Sequence, residues 1–282
     1  MTEEVLVIDI GGTKTNVSFV TSANSEIKVL SSDIFPTHLN PALQIEKISS
    51  LCLEKSNKPN YMSLSLPGLW DKDGVLIEGF NLKDWTGFPF IKNLANALNI
   101  KDYTWGTDVI CGALGEYNYQ TEKSLLYINL GTGIGGAFIR DGRSFKSNSS
   151  LTLRLQKLLL PDQGELISAV DLISGKDILK GTAYNSVKKL YLDYKVGNIN
   201  TFEIITKAQL QLASWLINLF YLFAPDVIIL NGGLTYDWEI LCEEAIDIAN
   251  EELKNQVKIL PSRLKEMAPV YGAYLNYKTP PI

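Results

Sequence analysis

One histidine and three cysteines in 282 residues leave little material for metal or disulfide chemistry. Cys52, Cys111 and Cys242 are far apart and odd in number, so they form neither a disulfide framework nor a Cys-x-x-Cys site and read as reduced core or boundary thiols. With a single His beside them they cannot supply the usual four N/S ligands, and no zinc is expected. His38 stands in a Pro-Thr-His connection with no Cys, Asp or Glu clustered by it, which reads as a solvated loop residue with no role. A basic field is missing too. The 26 Lys and Arg against 31 Asp and Glu give a net charge of −5 and a pI near 5.1, so no nucleic-acid partner is expected. The longest apolar runs, such as Trp215 to Ala224, fall short of the ~18 residues of a membrane span, and that run contains Asn218. The chain opens with Glu3-Glu4 rather than a basic then apolar signal, so the expectation is no membrane and a cytoplasmic location.

What the chain does have is 46% hydrophobic and 20% charged residues, the balance of a globular protein. Its length predicts two domains of roughly 150 residues, each large enough for its own core. The most informative stretch is Val5-Leu6-Val7-Ile8-Asp9-Ile10-Gly11-Gly12-Thr13-Lys14-Thr15-Asn16-Val17-Ser18-Phe19-Val20. Val5 to Ile10 is an apolar, β-branched run broken by Asp9, as expected of a strand buried on both faces. Gly11-Gly12 ends it where the backbone needs positive φ or close approach to a ligand, and Val17 to Val20 resume strand propensity. Backbone N–H groups, Thr13, Thr15 and the Lys14 ammonium can form an anion site, with Asp9 beside them suited to a hydrated Mg²⁺ on a nucleotide. An ordinary Gly-Gly hairpin turn explains this stretch alone almost as well. Leu125 to Arg140 lies over it without a gap, Asn129 on Asp9 and Gly131 on Gly11. Two such turns are what a two-domain nucleotide clamp needs.

Between the hairpins, the pattern predicts a strand near Glu26 to Phe35, a helix from about Pro41 to Lys55, and a strand from Tyr61 to Leu66 ending at Pro67-Gly68. The polar, aromatic loop Glu78 to Phe90 follows, where Asn81 could fix hydroxyls and Trp85 could pack a sugar face; a surface loop with packed aromatics is the plainer alternative. A helix from Ile91 to Leu98 and a strand from Asp102 to Gly106 deliver Thr107-Asp108 to the start of a helix over Val109 to Tyr117. Asp108 there is either an N-cap or a carboxylate placed to accept a hydroxyl proton in phosphoryl transfer. Later, Lys176 to Tyr191, Phe202 to Phe223 and Glu239 to Leu253 read as helices. Asp226 to Leu230 reads as a strand leading to Asn231-Gly232-Gly233, where a flat ring could approach the backbone.

Taken in order, these segments resemble the ROK family of sugar kinases. The chain matches its D-x-G-G-T start at Asp9 to Thr15, its P-G loop at Pro67-Gly68, and its N-L-x-x-W-x-x-x-P loop at Asn81-Leu82, Trp85 and Pro89. Thr107-Asp108 with Glu116, Asn129 to Gly136, and Pro225 to Gly233 complete the set. The resemblance implies an α/β, two-domain actin-like ATPase (ribonuclease H-like) fold with an interdomain cleft, its domains at 1–113 plus 268–282 and at 114–267. It further implies ATP- and Mg²⁺-dependent phosphorylation of a hexose or hexose derivative. Asp108 would be the general base; Gly68, Asn81, Leu82, Thr107, Asp108 and Glu165 would meet the sugar. Gly11, Gly12, Thr13, Lys14, Thr132 and Gly133 would hold phosphates, Asp9 the metal, and Gly232-Gly233 the adenosine. A homodimer is left open.

The chain departs from the pattern in three places. The family's N-D is Thr107-Asp108, its G-E-x-G-H sugar motif has no His, and its cysteine-rich zinc cluster is absent. Gly164-Glu165-Leu166 replaces part of the sugar motif in one register. In another, Ser168 to Gly175 with Asp171 resembles the later G-x-L-E-x-x-x-S-G, and two solvated or capping carboxylates explain the residues as well. Two rivals remain. A sugar-responsive transcription regulator of this fold carries an N-terminal DNA-binding domain, for which a first strand starting near residue 4 leaves no room. A non-catalytic sugar or nucleotide binder is suggested by the missing His and the Thr107 departure, while Asp9 and Asp108 argue against it.

Overall fold

The protein, as a computed structural model, is described over residues 4–24, 26–54, 59–79, 82–145 and 153–278. In chain order come β1 (Val5–Ile10), β2 (Lys14–Ala23), β3 (Glu26–Pro36), α1 (Pro41–Leu53), β4 (Tyr61–Leu66), β5 (Leu69–Trp70), β6 (Leu76–Glu78), α2 (Phe90–Leu98), β7 (Asp102–Thr107) and α3 (Asp108–Tyr117). The chain continues with β8 (Ser124–Leu130), β9 (Ile134–Arg140), β10 (Arg143–Ser144), β11 (Leu159–Asp162), β12 (Glu165–Ser168), α4 (Val170–Ile173) and α5 (Gly175–Ile178). It ends with α6 (Val187–Lys195), α7 (Ile199–Phe223), β13 (Val227–Asn231), α8 (Trp238–Leu253), β14 (Lys258–Pro261) and α9 (Ala268–Lys278). Two compact units result, one built on Met1–Tyr119 and Met267–Ile282, the other on Gln120–Phe145 and Thr152–Glu266.

Among the described residues each unit holds one five-stranded sheet, in the order β3-β2-β1-β4-β7 and β10-β9-β8-β13-β14. In both, the hairpin partner of the central strand is antiparallel and the two strands beyond it are parallel. The repeat is therefore a whole sheet, of which the glycine hairpin is the part that shows in the residues.

β1 is buried on both faces, which is why its sequence is apolar apart from Asp9. Leu6, Ile8 and Ile10 enter one core with Ile48, Leu64, Phe90 and Leu94, whereas Val5 and Val7 enter another with Cys111, Val270, Ala273 and Tyr274 of α3 and α9. Asp9 shares the face of Val5 and Val7 by strand alternation. In the second unit, α7 packs Ile205, Leu212, Trp215, Leu216 and Leu219 into a core with Leu126, Ile128, Ile228 and Leu230. It ends at Ala224, which takes a left-handed φ of 42°, before Pro225.

One expected element breaks. The helix expected over Lys176 to Tyr191 is two pieces, α5 and α6, because Gly181 adopts φ 76° between them and the Ser186 hydroxyl caps a new start by accepting from Lys189 N. Among the described residues no helix is long and apolar enough to cross a membrane.

Candidate active site

Three parallel strands of the first unit, β1, β4 and β7, end side by side, and ligands of open α/β sheets bind off such carboxyl ends. Asp9 pairs in register with Ser65 of β4, and Ser65 with Gly106 of β7, so Thr107 and Asp108 leave the sheet at the same end as the Gly11–Lys14 turn. Pro67-Gly68 leaves β4 there as well. Gly68 has φ 88°, and a Cβ on it would overlap the Glu78 carbonyl, so only glycine fits this turn.

Asp9 and Asp108 are electrostatically coupled. Burial is the main force raising the Asp9 carboxyl to about 7; the nearby Ser65 hydroxyl lowers it and the Asp108 charge raises it further. Ser65 Oγ itself is buried and makes no hydrogen bond of good geometry, so it acts on Asp9 as a nearby dipole. Burial also raises Asp108 to about 6, against the Val109 backbone N–H that donates to Asp108 Oδ1 at 2.9 Å. Both carboxylates still keep part of their surface open.

Asp108 is not the N-cap. That position belongs to Thr107, whose hydroxyl accepts from Ile110 N at 3.4 Å, leaving Asp108 as the first helical residue. α3 is in turn seated on α9 by glycine: a Cβ on Gly115 would overlap the Ala268 carbonyl, and one on Gly272 the Cys111 carbonyl. Asn276 of α9, 3% exposed, donates to Thr104 Oγ1 and to the Trp105 carbonyl of β7.

Of the two reasons expected for Gly11-Gly12, positive φ or close approach, the turn removes the first. Gly11 and Gly12 have no positive φ among the described residues; a Cβ on Gly11 would stand 3.0 Å from the Lys14 carbonyl, which accepts from Gly11 N at 2.8 Å. Space, not left-handed backbone, explains Gly11. Gly12 is half-buried, and Thr13 and Lys14 are exposed. Leu82 is 1% exposed. Asn81 lies outside the described residues. Trp85 is fully buried and stacks on Phe90 at 4.3 Å, so it shapes its loop from within and offers no face to a sugar.

In the second unit, β8, β13 and β14 repeat the arrangement. Gly131 N donates to Gly133 O at 2.9 Å, two residues on, where Gly11 N reaches three residues on. The pairing of Asn129 with Gly135, against Asp9 with Asn16, shows the same one-residue difference, so the gapless sequence overlay conceals two different turns. Thr132 and Gly133 are exposed, and the Gly131 carbonyl accepts from Gly175 N at 2.8 Å. Gly232 has φ 99°, and a Cβ there would meet the Leu130 carbonyl and stand 2.7 Å from Asn129 Oδ1. Gly233 is exposed with nothing within 4 Å of a Cβ. Behind them Asn231 donates to Tyr127 Oη at 2.6 Å and to the Lys265 carbonyl at 3.1 Å, tying the end of β13 to the middle of β8 and to the segment before α9.

Glu165 belongs to the same unit, exposed on the β11-β12 hairpin opposite Asp162. The carboxylate of Asp162 pairs with Lys207 at 2.8 Å. Asp171 is exposed and accepts from Ser168 Oγ at 2.6 Å.

The ROK family model matches residues 5–151. The chain belongs to the ROK family. An uncharacterized protein, CPE0188, of Clostridium perfringens is 28% identical over 96% of this chain and 97% of its own length. An N-acetyl-D-glucosamine kinase of Vibrio parahaemolyticus is 25% identical over 84% of this chain and 86% of its own. Among solved structures, the ROK hexokinase from Thermus thermophilus superposes with a TM-score of 0.81 at 22% identity, covering 98% of this chain and 99% of that one. The fold is thus the two-domain actin-like ATPase fold that the motif order implied.

Sequence reasoning missed Ser65, Gln44 and the Asn231–Tyr127 pair. Ser65 had a signal, since Ser63 and Ser65 alternate in an otherwise apolar strand. Gln44 had none.

Proposed function

We propose that this ROK protein is an ATP- and Mg²⁺-dependent sugar kinase that transfers the γ-phosphoryl group to a primary hydroxyl of a hexose or hexose derivative. The observation that carries the reading is the pair Asp9 and Asp108, desolvated on β1 and just past β7, on either side of β4, at the sheet end that carries the Gly11–Lys14 turn. Family membership and the named kinase relatives support it.

Asp108 accepts the proton of the attacking hydroxyl. With its pKa near 6 it is ionised at neutral pH yet basic enough to share a proton in the transition state. Thr107 caps α3 and so holds Asp108 in place without engaging its carboxylate as the cap. Gly68, Asn81, Leu82, Thr107 and Glu165 are the residues assigned to the sugar. Gly11, Gly12, Thr13 and Lys14 cradle phosphates with backbone N–H groups and one ammonium, as Thr132 and Gly133 do in the second unit, where Gly232-Gly233 admit the adenosine.

Mg²⁺ keeps several waters and takes one or two carboxylates plus phosphate oxygens. Asp9, with the Ser65 hydroxyl beside it, fits that role. Once bound, the ion neutralises charge on the phosphates.

The test is an ADP-release assay with Mg·ATP over glucose, mannose, fructose, galactose, N-acetylglucosamine and N-acetylmannosamine. Turnover of at least one sugar is expected. Binding of Mg·ATP with no turnover of any would favour a non-catalytic binder instead.

A further inference from the structure

Gln44 sits on the second turn of α1, is fully buried, and spends both ends of its amide. Its Nε2 donates to Thr15 Oγ1 at 2.8 Å, and its Oε1 accepts from His38 N at 2.8 Å. Thr37 Oγ1 donates to the Gly11 carbonyl at 2.9 Å and lies 2.9 Å from Thr15 Oγ1. Because the Thr37 proton is committed to Gly11, Thr15 must donate to Thr37, and Gln44 must donate to Thr15. The chain of donors therefore runs one way, from Gln44 to the carbonyl at the base of the glycine turn. Thr37 N adds a bond to the Thr13 carbonyl at 3.0 Å. On the other side, the His38 carbonyl accepts from the indole of Trp85 at 3.2 Å, and Trp85 N donates to the Leu82 carbonyl at 3.0 Å.

We propose that Gln44 is a positioning residue that ties the glycine turn to the loop around Leu82–Phe88, so that filling one is felt by the other. The Gln44–Thr15 bond at the head of this one-way chain is buried and the bonds beyond it are partly buried, so loosening Gln44 orphans a buried donor or acceptor. The exposed His38 imidazole is a bystander; its peptide group is the joint. The proposal rests on the reading of the turn as a phosphate site and of the loop as a sugar site.

Hydrogen exchange on the whole chain tests it, with Mg·ADP as the probe. In ligand-free protein, Gln44→Met should speed exchange about tenfold in both residues 11–15 and residues 82–88, while α1 stays protected. Thr15→Val breaks only one arm and should speed exchange in 11–15 but not in 82–88. Mg·ADP should protect 11–15 and, in the parent alone, 82–88 as well. Exchange rising evenly across the unit, or only around residue 44, would overturn the proposal, and so would nucleotide protection reaching 82–88 undiminished in Gln44→Met. If Mg·ADP fails to bind the parent, the nucleotide reading fails, and the ligand-free pattern of the two variants still decides whether Gln44 is the tie.

Discussion

Asp9 and Ser65 stand opposite each other in the parallel pairing of β1 with β4, and the Ser65 hydroxyl is buried there without a hydrogen bond of good geometry. A buried carboxylate of raised pKa costs stability in the empty protein. Folds tolerate such groups where a ligand later satisfies them. Neutralising the carboxylate should therefore help the empty protein and harm the loaded one.

That expectation has a definite sign with pH. The folded-state pKa of Asp9 lies near 7 and that of Asp108 near 6, both raised from 3.8. Between about pH 4 and pH 7 the folded protein holds more protons than the unfolded chain, so the contribution of these groups is fully present below 3.8 and is lost as pH rises through 6 to 7. Ligand-free Asp9→Asn should melt with the parent near pH 4 and above it at pH 8, by about 2–4 °C for each kcal/mol recovered. A melting-point difference that does not grow with pH would remove the raised pKa from the account.

Mg²⁺ on a nucleotide should discharge the Asp9 proton. Calorimetric titration of Mg·ADP at pH 7 in buffers of different ionisation enthalpy should show net proton release, and Asp9→Asn should abolish it. Equal heats in all buffers for the parent would place the metal elsewhere.

Glycine at 232 is required twice over, by φ 99° and by the Leu130 carbonyl that a Cβ would meet. Gly232→Ala should lose roughly 1–3 kcal/mol from the backbone conformation alone and weaken nucleotide binding with it. Gly233→Ala, with open space around its Cβ, serves as the comparison and should fold normally. Equal stability of the two variants, read by denaturant titration, would contradict the turn geometry.

The sheet strands were legible because their burial is simple. β1 is apolar on both faces and ends at glycine, so residues 5–16 announce a strand, a turn and a buried acid without help from the rest of the chain. The one-residue difference between the two glycine turns was not legible, since identical spacing of Gly11 and Gly131 leaves the pairing register to the backbone. Trp85 misled for a related reason: an indole in a polar loop suits a sugar platform, and only the stack on Phe90 and the bond to the His38 carbonyl show that it faces inward. Gly181 broke an expected helix because one left-handed residue outweighs a fair apolar period on either side.

The cap at Thr107 makes the decisive substitution clean. Were Asp108 the N-cap, Asn would replace it at little cost, because an amide oxygen accepts the same backbone hydrogen bond. With Thr107 accepting from Ile110 N, Asp108→Asn disturbs neither the cap nor the seating of α3 on α9 through Gly115 and Gly272. What it removes is a carboxylate of pKa near 6, and with it the acceptor for the hydroxyl proton. Turnover at saturating sugar and ATP should fall by roughly 10²–10⁴-fold with nucleotide binding nearly unchanged. The parent's kcat/KM should also fall as pH drops below about 6, where Asp108 protonates. Thr107→Ala gives the converse result, a stability loss of about 1 kcal/mol with the carboxylate still in the chain. Turnover of Asp108→Asn within about threefold of the parent would assign this aspartate to structure and remove the proposed base.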